Sequence, residues 1–196
     1  MTTQEIRAQK SAIRSRYKEI RKNCDKKSEK SSSIAQKVLS SMSYKYSKDI
    51  LLYFAKDNEV DTREIFEKAF SDGKNIYFPK TYSGGIMKFF KISSLDELEK
   101  ANFGVMEPNG TTEEYDSSSS QMGLCIVPGI CFDRNGYRIG YGKGFYDRFL
   151  SSFKGIAAGV TFSDCLVSDG IVIEKRYDKP VDIIFSESEV LVIGCK

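Results

Sequence analysis

The stretch Val127–Leu150 reads V-P-G-I-C-F-D-R-N-G-Y-R-I-G-Y-G-K-G-F-Y-D-R-F-L. Before it, an apolar run over Leu124–Val127 stops at a Pro-Gly pair, which is typical of a strand that ends in a turn. Further on, Gly140, Gly142 and Gly144 alternate with other residues just before a predicted helix. Glycines let backbone N–H groups converge, and a helix N-terminus adds positive partial charge. The stretch therefore predicts a site that binds an anion such as a phosphate group.

Two charged residues sharpen this prediction. Lys143 lies among the glycines and supplies a positive charge, and Asp147 on the first helical turn is a candidate magnesium ligand. The alternative for the glycines is an ordinary tight loop. The alternative for Asp147 is a carboxylate that interacts favourably with the helix dipole. The common glycine motifs do not fit, because Walker A requires Ser or Thr at Gly144 and the dinucleotide fingerprint requires glycine at Phe145.

Length and composition favour one compact domain over residues 1–196. No apolar run approaches the roughly 20 residues of a membrane span, and the N-terminus has no apolar signal region, so we expect a cytoplasmic protein without a membrane partner. The five cysteines contain no C-x-x-C, which favours reduced thiols over a disulfide framework or a zinc site. Histidine is absent, which excludes Ser-His and Cys-His nucleophilic catalysis.

The charge is concentrated at the N-terminus. Residues 1–30 carry ten Lys and Arg against four Asp and Glu, a net charge of +6 that leaves −3 for the remainder. Such an arm can bind nucleic acid or a phosphate-bearing small ligand. Because Tyr17 is its one aromatic residue, we expect no nucleic-acid partner.

The basic arm itself predicts a helix over residues 3–23, with Thr3 as a possible cap. An apolar stripe at helical spacing is formed by Ile6, Ile13, Tyr17 and Ile20. Lys10 and Arg14 project about 40° and 80° from Ile6, on the shoulder of this stripe. The two cations either extend over the core towards solvent or point into a site beside it.

The remainder of the chain alternates strands with helices, which indicates a layered α/β/α fold with a mostly parallel central sheet. The predicted strands are Asp49–Ala55, Asn75–Pro79, Met87–Ile92, Leu124–Val127, Gly155–Phe162, Val181–Phe185 and Val190–Ile193. The predicted helices are Glu29–Met42, one capped by Asp61-Thr62 that runs to Phe70, Ser93–Lys100 and Phe145–Phe153. Asp133–Gly136 predicts a hairpin turn, and Asn109–Gln121 a polar surface loop.

The glycine-rich stretch also resembles the signature of the 5-formyltetrahydrofolate cyclo-ligases, or methenyltetrahydrofolate synthetases. The resemblance extends to K-x-x-x-R at Lys10 and Arg14, to E-V-D-T at residues 59–62 and to D-K-P-V-D at residues 178–182. It implies ATP-dependent cyclisation of 5-formyltetrahydrofolate, with or without a polyglutamate tail, to 5,10-methenyltetrahydrofolate. ADP and phosphate would be released after a phosphorylated formyl intermediate, and the protein would act as a monomer.

The same resemblance implies roles for individual residues. The ATP site would comprise Lys10, Arg14, Arg138, Ile139, Gly140, Tyr141, Gly142, Lys143, Gly144, Phe145 and Tyr146, with Arg138 and Lys143 as the catalytic residues. The folate site would comprise Arg14, Lys56, Asp61, Tyr141, Gly142, Lys143, Gly144 and Phe145. Magnesium would be bound by Asp147 and Asp178.

Several positions leave alternatives open. Asp61 by itself is better explained as a helix cap, and Asp178 as an ordinary loop residue. The family often has tyrosine at Phe145 and histidine at Tyr177, so a hydroxyl and an imidazole are missing here. A kinase of another small molecule and a basic nucleic-acid-binding module are the competing hypotheses.

Overall fold

The structure is a computed structural model that describes residues 2–56, 58–101, 104–117, 123–174 and 176–193. Within these ranges the helices are α1 (Thr3–Asn23), α2 (Lys27–Ser40), α3 (Met42–Tyr46), α4 (Arg63–Ser71) and α5 (Phe145–Leu150). The strands are β1 (Asp49–Leu51), β2 (Asn75–Thr81), β3 (Met87–Ile92), β4 (Leu98–Lys100), β5 (Met106–Pro108), β6 (Gly123–Val127), β7 (Cys131–Asp133), β8 (Arg138–Ile139), β9 (Ile156–Val160), β10 (Leu166–Val167), β11 (Ile183–Phe185) and β12 (Val190–Val192).

Seven strands form the central sheet, in the order β12-β11-β9-β6-β1-β2-β3. The four inner pairings, from β11 to β2, are parallel. The two outermost pairings, β2 with β3 and β11 with β12, are antiparallel. The predicted mostly parallel sheet is therefore confirmed.

Alternation along the strands supplies apolar side chains to both faces of the sheet. In β1, Ile50 packs into a cluster with Ile34 of α2 and Ile65 of α4. The next residue, Leu51, packs on the opposite face, where it shares a cluster with Phe149 of α5. Helices thus cover both faces, which confirms the predicted α/β/α layering.

Helix α1 packs apart from these two clusters, against a small sheet in the order β10-β7-β8. Its apolar stripe joins the buried residues Ile130, Cys131, Ile139 and Cys165 through Tyr17, with Ile13 and Ile20 at the margin. The helix begins at Thr3, as predicted, but its cap is Thr2, which forms a capping box with Glu5. The prediction that Thr3 caps the helix was wrong.

Several predicted elements are shorter than expected. The strand predicted over Asp49–Ala55 leaves the sheet after Leu51, because the segment that follows forms a wall of the candidate site. The predicted helix Glu29–Met42 ends at Ser40, since the Ser41 hydroxyl accepts a hydrogen bond from the Tyr44 amide and starts α3.

The region after β3 also differs from its prediction. The expected helix over Ser93–Lys100 is a single 3-10 turn over Leu95–Glu97, because the capping box of Ser94 and Glu97 is followed at once by β4. The predicted loop Asn109–Gln121 includes the buried Tyr115, and its residues 118–121 lie outside the described residues. The predicted hairpin after β7 is confirmed by its antiparallel pairing with β8.

Two further expectations concern disulfide bonds and membrane-spanning helices. Cys24, Cys125, Cys131 and Cys165 are free thiols, and Cys195 lies outside the described residues. Among the helices that the structure describes, none is long and apolar enough to cross a membrane.

Gly136, in the β7–β8 turn, should tolerate alanine less well than Gly73. Both have a positive φ, +86° and +69°, which costs an L-residue about 1–2 kcal/mol. A Cβ at Gly136 would also lie 2.7 Å from the Val181 carbonyl oxygen, whereas a Cβ at Gly73 meets no atom within 4 Å. Gly136→Ala should therefore lower the free energy of unfolding by about 1–3 kcal/mol more than Gly73→Ala. Urea denaturation of both variants measures this difference, and equal losses would contradict it.

Candidate active site

The candidate site lies where parallel strands β1 and β6 end side by side. The chain leaves β1 towards β2 on one side and later returns as β6 on the other, so the crevice between their carboxyl ends is a topological switch point. Residues after β1, such as Tyr53 and Glu59, and Pro128 and Gly129 after β6 line this crevice. Ligands of open α/β sheets bind at such positions.

The crevice widens into a cavity of about 1500 Å³. All the site residues expected from the sequence line it except Asp61. Typical small-molecule pockets measure roughly 300–1,000 Å³, so this cavity has room for more than one ligand of ordinary size. The structure thus brings the N-terminal cations, the glycine-rich stretch and both candidate magnesium ligands together, and their roles in binding stay predictions.

Lys10 and Arg14 both point into this cavity rather than over the core towards solvent. The Lys10 Nζ atom lies 2.5 Å from Asp178 Oδ2, and Arg14 donates from Nε to the Gly140 carbonyl oxygen at 2.9 Å. The two contacts join α1 to the loop around residue 178 and to the glycine-rich stretch.

Arg138 and the two candidate magnesium ligands form the opposite side of the cavity. The nearly buried Arg138 donates to Asp147 Oδ1 at 3.0 Å and to the Lys179 carbonyl oxygen at 2.8 Å. Asp147 Oδ1 also accepts from the Lys179 amide, which places it next to Asp178. Mg²⁺ typically takes one or two carboxylates, with phosphate oxygens and water completing the shell. This pair of carboxylates therefore fits such an ion.

The glycine-rich stretch owes its path to two of its three glycines. Gly142 and Gly144 have φ of +93° and +67°, which disfavours other residues, whereas a Cβ at Gly140 would meet no atom within 4 Å. Gly140 therefore leaves open space at the cavity wall. Helix α5 ends at Leu150 rather than at the predicted Phe153, and with six residues its dipole is short. Side-chain cations are accordingly the main source of positive potential here.

Arg148 is a cation of this site that the sequence analysis missed. It donates to the Gly85 carbonyl oxygen at 2.8 Å and to that of Lys143 at 2.5 Å, so it joins the turn before β3 to the glycine-rich stretch. Its place one residue after the candidate ligand Asp147 was the available sequence signal.

Asp61 and Glu59 occupy different environments. Asp61 accepts hydrogen bonds from the Arg63 side chain and from the Arg63 amide in the first turn of α4, but the N-cap residue of that helix is Thr62. Burial raises the pKa of Asp61, but the Arg63 hydrogen bonds outweigh it and hold the pKa below its usual value. Glu59 lines the cavity instead, and burial raises the pKa of its carboxyl. The sequence analysis quoted Glu59 within E-V-D-T but assigned it no role.

Tyr146 supplies a polar atom at the cavity wall. Its hydroxyl is buried and has no hydrogen-bond partner within the described part of the chain. Burial raises the pKa of this hydroxyl well above its usual value, so it remains a donor at neutral pH. An unpaired buried hydroxyl is costly, which is consistent with a ligand contact at this position.

Comparisons with known proteins agree with this geometry. The model of the 5-formyltetrahydrofolate cyclo-ligase family matches residues 6–187. A probable 5-formyltetrahydrofolate cyclo-ligase of Schizosaccharomyces pombe is 33% identical over 62% of this chain and 61% of its own length. The 5-formyltetrahydrofolate cyclo-ligase of Mus musculus is 31% identical over 60% of each chain, so the matched part spans about three fifths of both relatives.

A solved structure extends the similarity to the whole fold. The NMR structure of Aquifex aeolicus 5,10-methenyltetrahydrofolate synthetase has a TM-score of 0.80 and 29% sequence identity to this chain. The superposition covers 95% of this chain and 94% of that one. The architecture described above is therefore that of a methenyltetrahydrofolate synthetase structure over almost its full length.

The pair formed by Lys10 and Asp178 should stabilise the fold measurably. Its side chains are 17% and 19% exposed, whereas those of the ion pair between Lys26 and Glu29 are 67% and 75% exposed. A double-mutant cycle with Lys10→Met and Asp178→Asn should give a coupling energy of about 1 kcal/mol or more. The matched cycle with Lys26→Met and Glu29→Gln should give a value near the error of the measurement, because water screens exposed pairs. Equal coupling energies in the two urea-unfolding cycles would contradict this prediction.

Proposed function

Because the chain belongs to the 5-formyltetrahydrofolate cyclo-ligase family, we propose that it is an ATP-dependent ligase that cyclises 5-formyltetrahydrofolate to 5,10-methenyltetrahydrofolate and releases ADP and phosphate. It would act as a single-domain monomer in the cytoplasm, on folates with or without a polyglutamate tail. No nucleic-acid or membrane partner is proposed.

The observation that carries the proposal is the convergence of opposite charges on one large cavity. Lys10, Arg14 and Lys143 line the cavity together with the carboxylates Asp147 and Asp178. Cations favour phosphate groups, and carboxylates favour a divalent metal ion, which would supply further positive charge to those phosphates. The volume of about 1500 Å³ supports the binding of a nucleotide beside a folate.

The proposed chemistry needs positioning more than it needs an acid–base group. The formyl carbon of 5-formyltetrahydrofolate is a poor electrophile, because the lone pair of its nitrogen is delocalised. Transfer of the γ-phosphoryl group of ATP to the formyl oxygen would release ADP and make that oxygen a leaving group. N10 would then attack the carbon and lose its proton to solvent, and cleavage of the C–O bond would release phosphate. Such steps depend on orientation and charge neutralisation, which a site without histidine can provide.

Individual residues have distinct proposed tasks. Lys10, Lys143 and Arg138 would neutralise phosphate charge, while Arg14 and Phe145 would hold the folate. The other contacts to the folate would come from Tyr141, Lys56 and the glycine backbone. Asp61 would bind the folate only if its ion pair with Arg63 were broken.

Asp147 and Asp178 would hold a magnesium ion. The ion would supply charge neutralisation between phosphate oxygens. Without it, the same carboxylates orient Arg138 and Lys10 through the contacts described above.

An assay of 5-formyltetrahydrofolate with Mg-ATP tests the proposal directly. The expected result is formation of the methenyl product, followed by its near-ultraviolet absorbance, with one ADP released per product. ATP hydrolysis that is independent of folate would favour the kinase hypothesis. Tight RNA or DNA binding that weakens steeply with salt would favour the nucleic-acid hypothesis.

Lys143→Ala should reduce turnover at saturating ATP by about 100-fold. The side chain is proposed to neutralise charge that develops during phosphoryl transfer, and the loss of such a contact costs on the order of 3 kcal/mol of transition-state stabilisation. Lys154→Ala is the matched control, since Lys154 is exposed and lies outside the cavity lining. Steady-state kinetics of both variants measure the effect, and near wild-type turnover of Lys143→Ala would remove the residue from the mechanism.

Asp147→Asn should raise the Mg²⁺ concentration needed for activity far more than it lowers stability. Asparagine retains an oxygen that can accept from Arg138 and from the Lys179 amide, but it removes the anionic ligand. A Mg²⁺ titration of activity beside thermal unfolding compares the two effects, with Asp164→Asn, outside the cavity lining, as the control. If Asp147→Asn lowers the thermal unfolding midpoint but leaves the Mg²⁺ titration of activity unchanged, the carboxylate has a structural role only.

A further inference from the structure

The side chain of Arg148 connects the turn between β2 and β3 to the glycine-rich stretch. Its Nε atom donates to the Gly85 carbonyl oxygen at 2.8 Å, and its Nη2 atom donates to the Lys143 carbonyl oxygen at 2.5 Å. Its Cζ atom also lies 5.9 Å from the centre of the Phe145 ring. One guanidinium group is thus held by two segments of the chain, although the residue is exposed to solvent.

The helix that carries Arg148 is docked on the main sheet. The neighbouring residue Phe149 packs on Phe89 of β3, with the ring centroids 4.6 Å apart, and Phe89 is buried. Phe149 also stacks on Phe153 at 5.2 Å. Arg148 therefore reaches the glycine-rich stretch from a base that is fixed by aromatic packing.

The turn between β2 and β3 is shaped to accept this side chain. Gly84 and Gly85 have φ of +73° and +78°, which disfavours other residues at both positions. A Cβ at Gly85 would lie 2.0 Å from Arg148 Nη2, whereas a Cβ at Gly84 would meet no atom within 4 Å. Glycine at position 85 therefore serves the contact with Arg148 as well as the turn, and glycine at position 84 serves the turn.

The group that Arg148 holds in the glycine-rich stretch is the peptide between Lys143 and Gly144. The C=O and N–H bonds of a trans peptide point in opposite directions, so a fixed Lys143 carbonyl also fixes the direction of the Gly144 N–H. Gly144 has a φ of +67°, and glycine adopts positive and negative φ about equally well. Without a partner for its carbonyl oxygen, this peptide could therefore rotate at little cost.

The backbone of Arg148 adds a second contact to the same stretch. Its amide donates to the Gly144 carbonyl oxygen at 3.2 Å, so the residue holds two successive carbonyl groups. Ordering an arginine side chain costs conformational entropy, and hydrogen bonds made beside water return a modest net free energy. An exposed arginine that is fixed in this way at the cavity is better explained by the groups that it orients than by stability.

We infer that Arg148 is a positioning residue that locks the peptide between Lys143 and Gly144 against rotation, with the β2–β3 turn as its anchor. The lock keeps the Gly144 N–H and the backbone that carries the Lys143 side chain in one orientation before a phosphate-bearing ligand enters. The inference rests on the proposed function for the identity of that ligand. Arg148 acts through the backbone of the stretch rather than as a further cation on the phosphate groups.

Arg148→Met tests the inference, with Lys154→Met as the control for the loss of one exposed charge. Arg148→Met should raise the KM for Mg-ATP about tenfold and lower kcat about tenfold, because Lys143 and the Gly144 N–H are less well oriented. The KM for 5-formyltetrahydrofolate should change much less. Arg148→Lys should recover only part of the loss, since an ammonium group lacks the planar fork that spans two carbonyl oxygens. Lys154→Met should keep the wild-type constants.

Two glycine variants separate the lock from a direct contact between Arg148 and phosphate. Gly85→Ala keeps the arginine but displaces it from its anchor, whereas Gly84→Ala introduces similar backbone strain in the same turn without meeting Arg148. Gly85→Ala should therefore reproduce the kinetic effect of Arg148→Met, and Gly84→Ala should not. When either alanine is combined with Arg148→Met, the two double variants should have equal kinetic constants.

These kinetics can overturn the inference in two ways. A wild-type KM for Mg-ATP in folded Gly85→Ala beside a raised KM in Arg148→Met would mean that Arg148 contacts the phosphate groups directly. Loss of stability with wild-type kinetic constants in Arg148→Met would leave the residue a structural role only.

Nitrogen-15 NMR relaxation and relaxation dispersion at Gly144 separate this inference from the proposed function, because neither measurement needs a substrate. If the wild-type protein forms no methenyl product, the proposed function fails, but the motion of the Gly144 N–H can still be measured. That motion should increase in Arg148→Met and in Gly85→Ala relative to the wild type and to Gly84→Ala. Equal motion at Gly144 in all four proteins would overturn the inference whatever the ligand is.

Discussion

The packing of α1 against the small sheet is the contact on which the site depends. Tyr17 and its apolar neighbours bury one side of the helix against Cys131, Ile139 and Cys165. The same contact fixes the rotation of the helix, and the adjoining face then presents Lys10, Arg14 and Arg21 to the loop around residue 178 and to the glycine-rich stretch. An apolar interface thus determines where positive charge lies in the cavity.

Electrostatics in the cavity follow from this arrangement. The cations of α1 approach carbonyl oxygens and a carboxylate that belong to the loops after β6, β8 and β10. Each of these loops is thus held by a side chain of α1 before any ligand binds. Such preorganisation is the main means by which proteins stabilise transferring phosphoryl groups.

The sequence predicted the fold class because buried strands and amphipathic helices have distinct periodicities, and the glycine-rich stretch located the cavity. The ends of the elements were predicted less well. Strand β1 ends before its predicted end, because the segment that follows lines the cavity, and Ser41 divides one predicted helix into two. The orientations of Lys10 and Arg14 were left open, since spacing places a side chain on a helix face but does not identify its partner. Three residues in or behind the cavity wall could be recognised only from their contacts with residues far away in the sequence: Glu59, Arg21 and Arg148.

The distance in sequence between α1 and its partners has a consequence for biosynthesis. Arg21, Arg14 and Lys10 contact residues 108, 126 and 168 positions downstream. Helix α1 is made before all of these partners, so its polar contacts are complete only when residue 178 has been added. Contacts of such long range slow folding, because the intervening loop must close first. The contact between Lys10 and Asp178 therefore cannot form before residue 178 has been made.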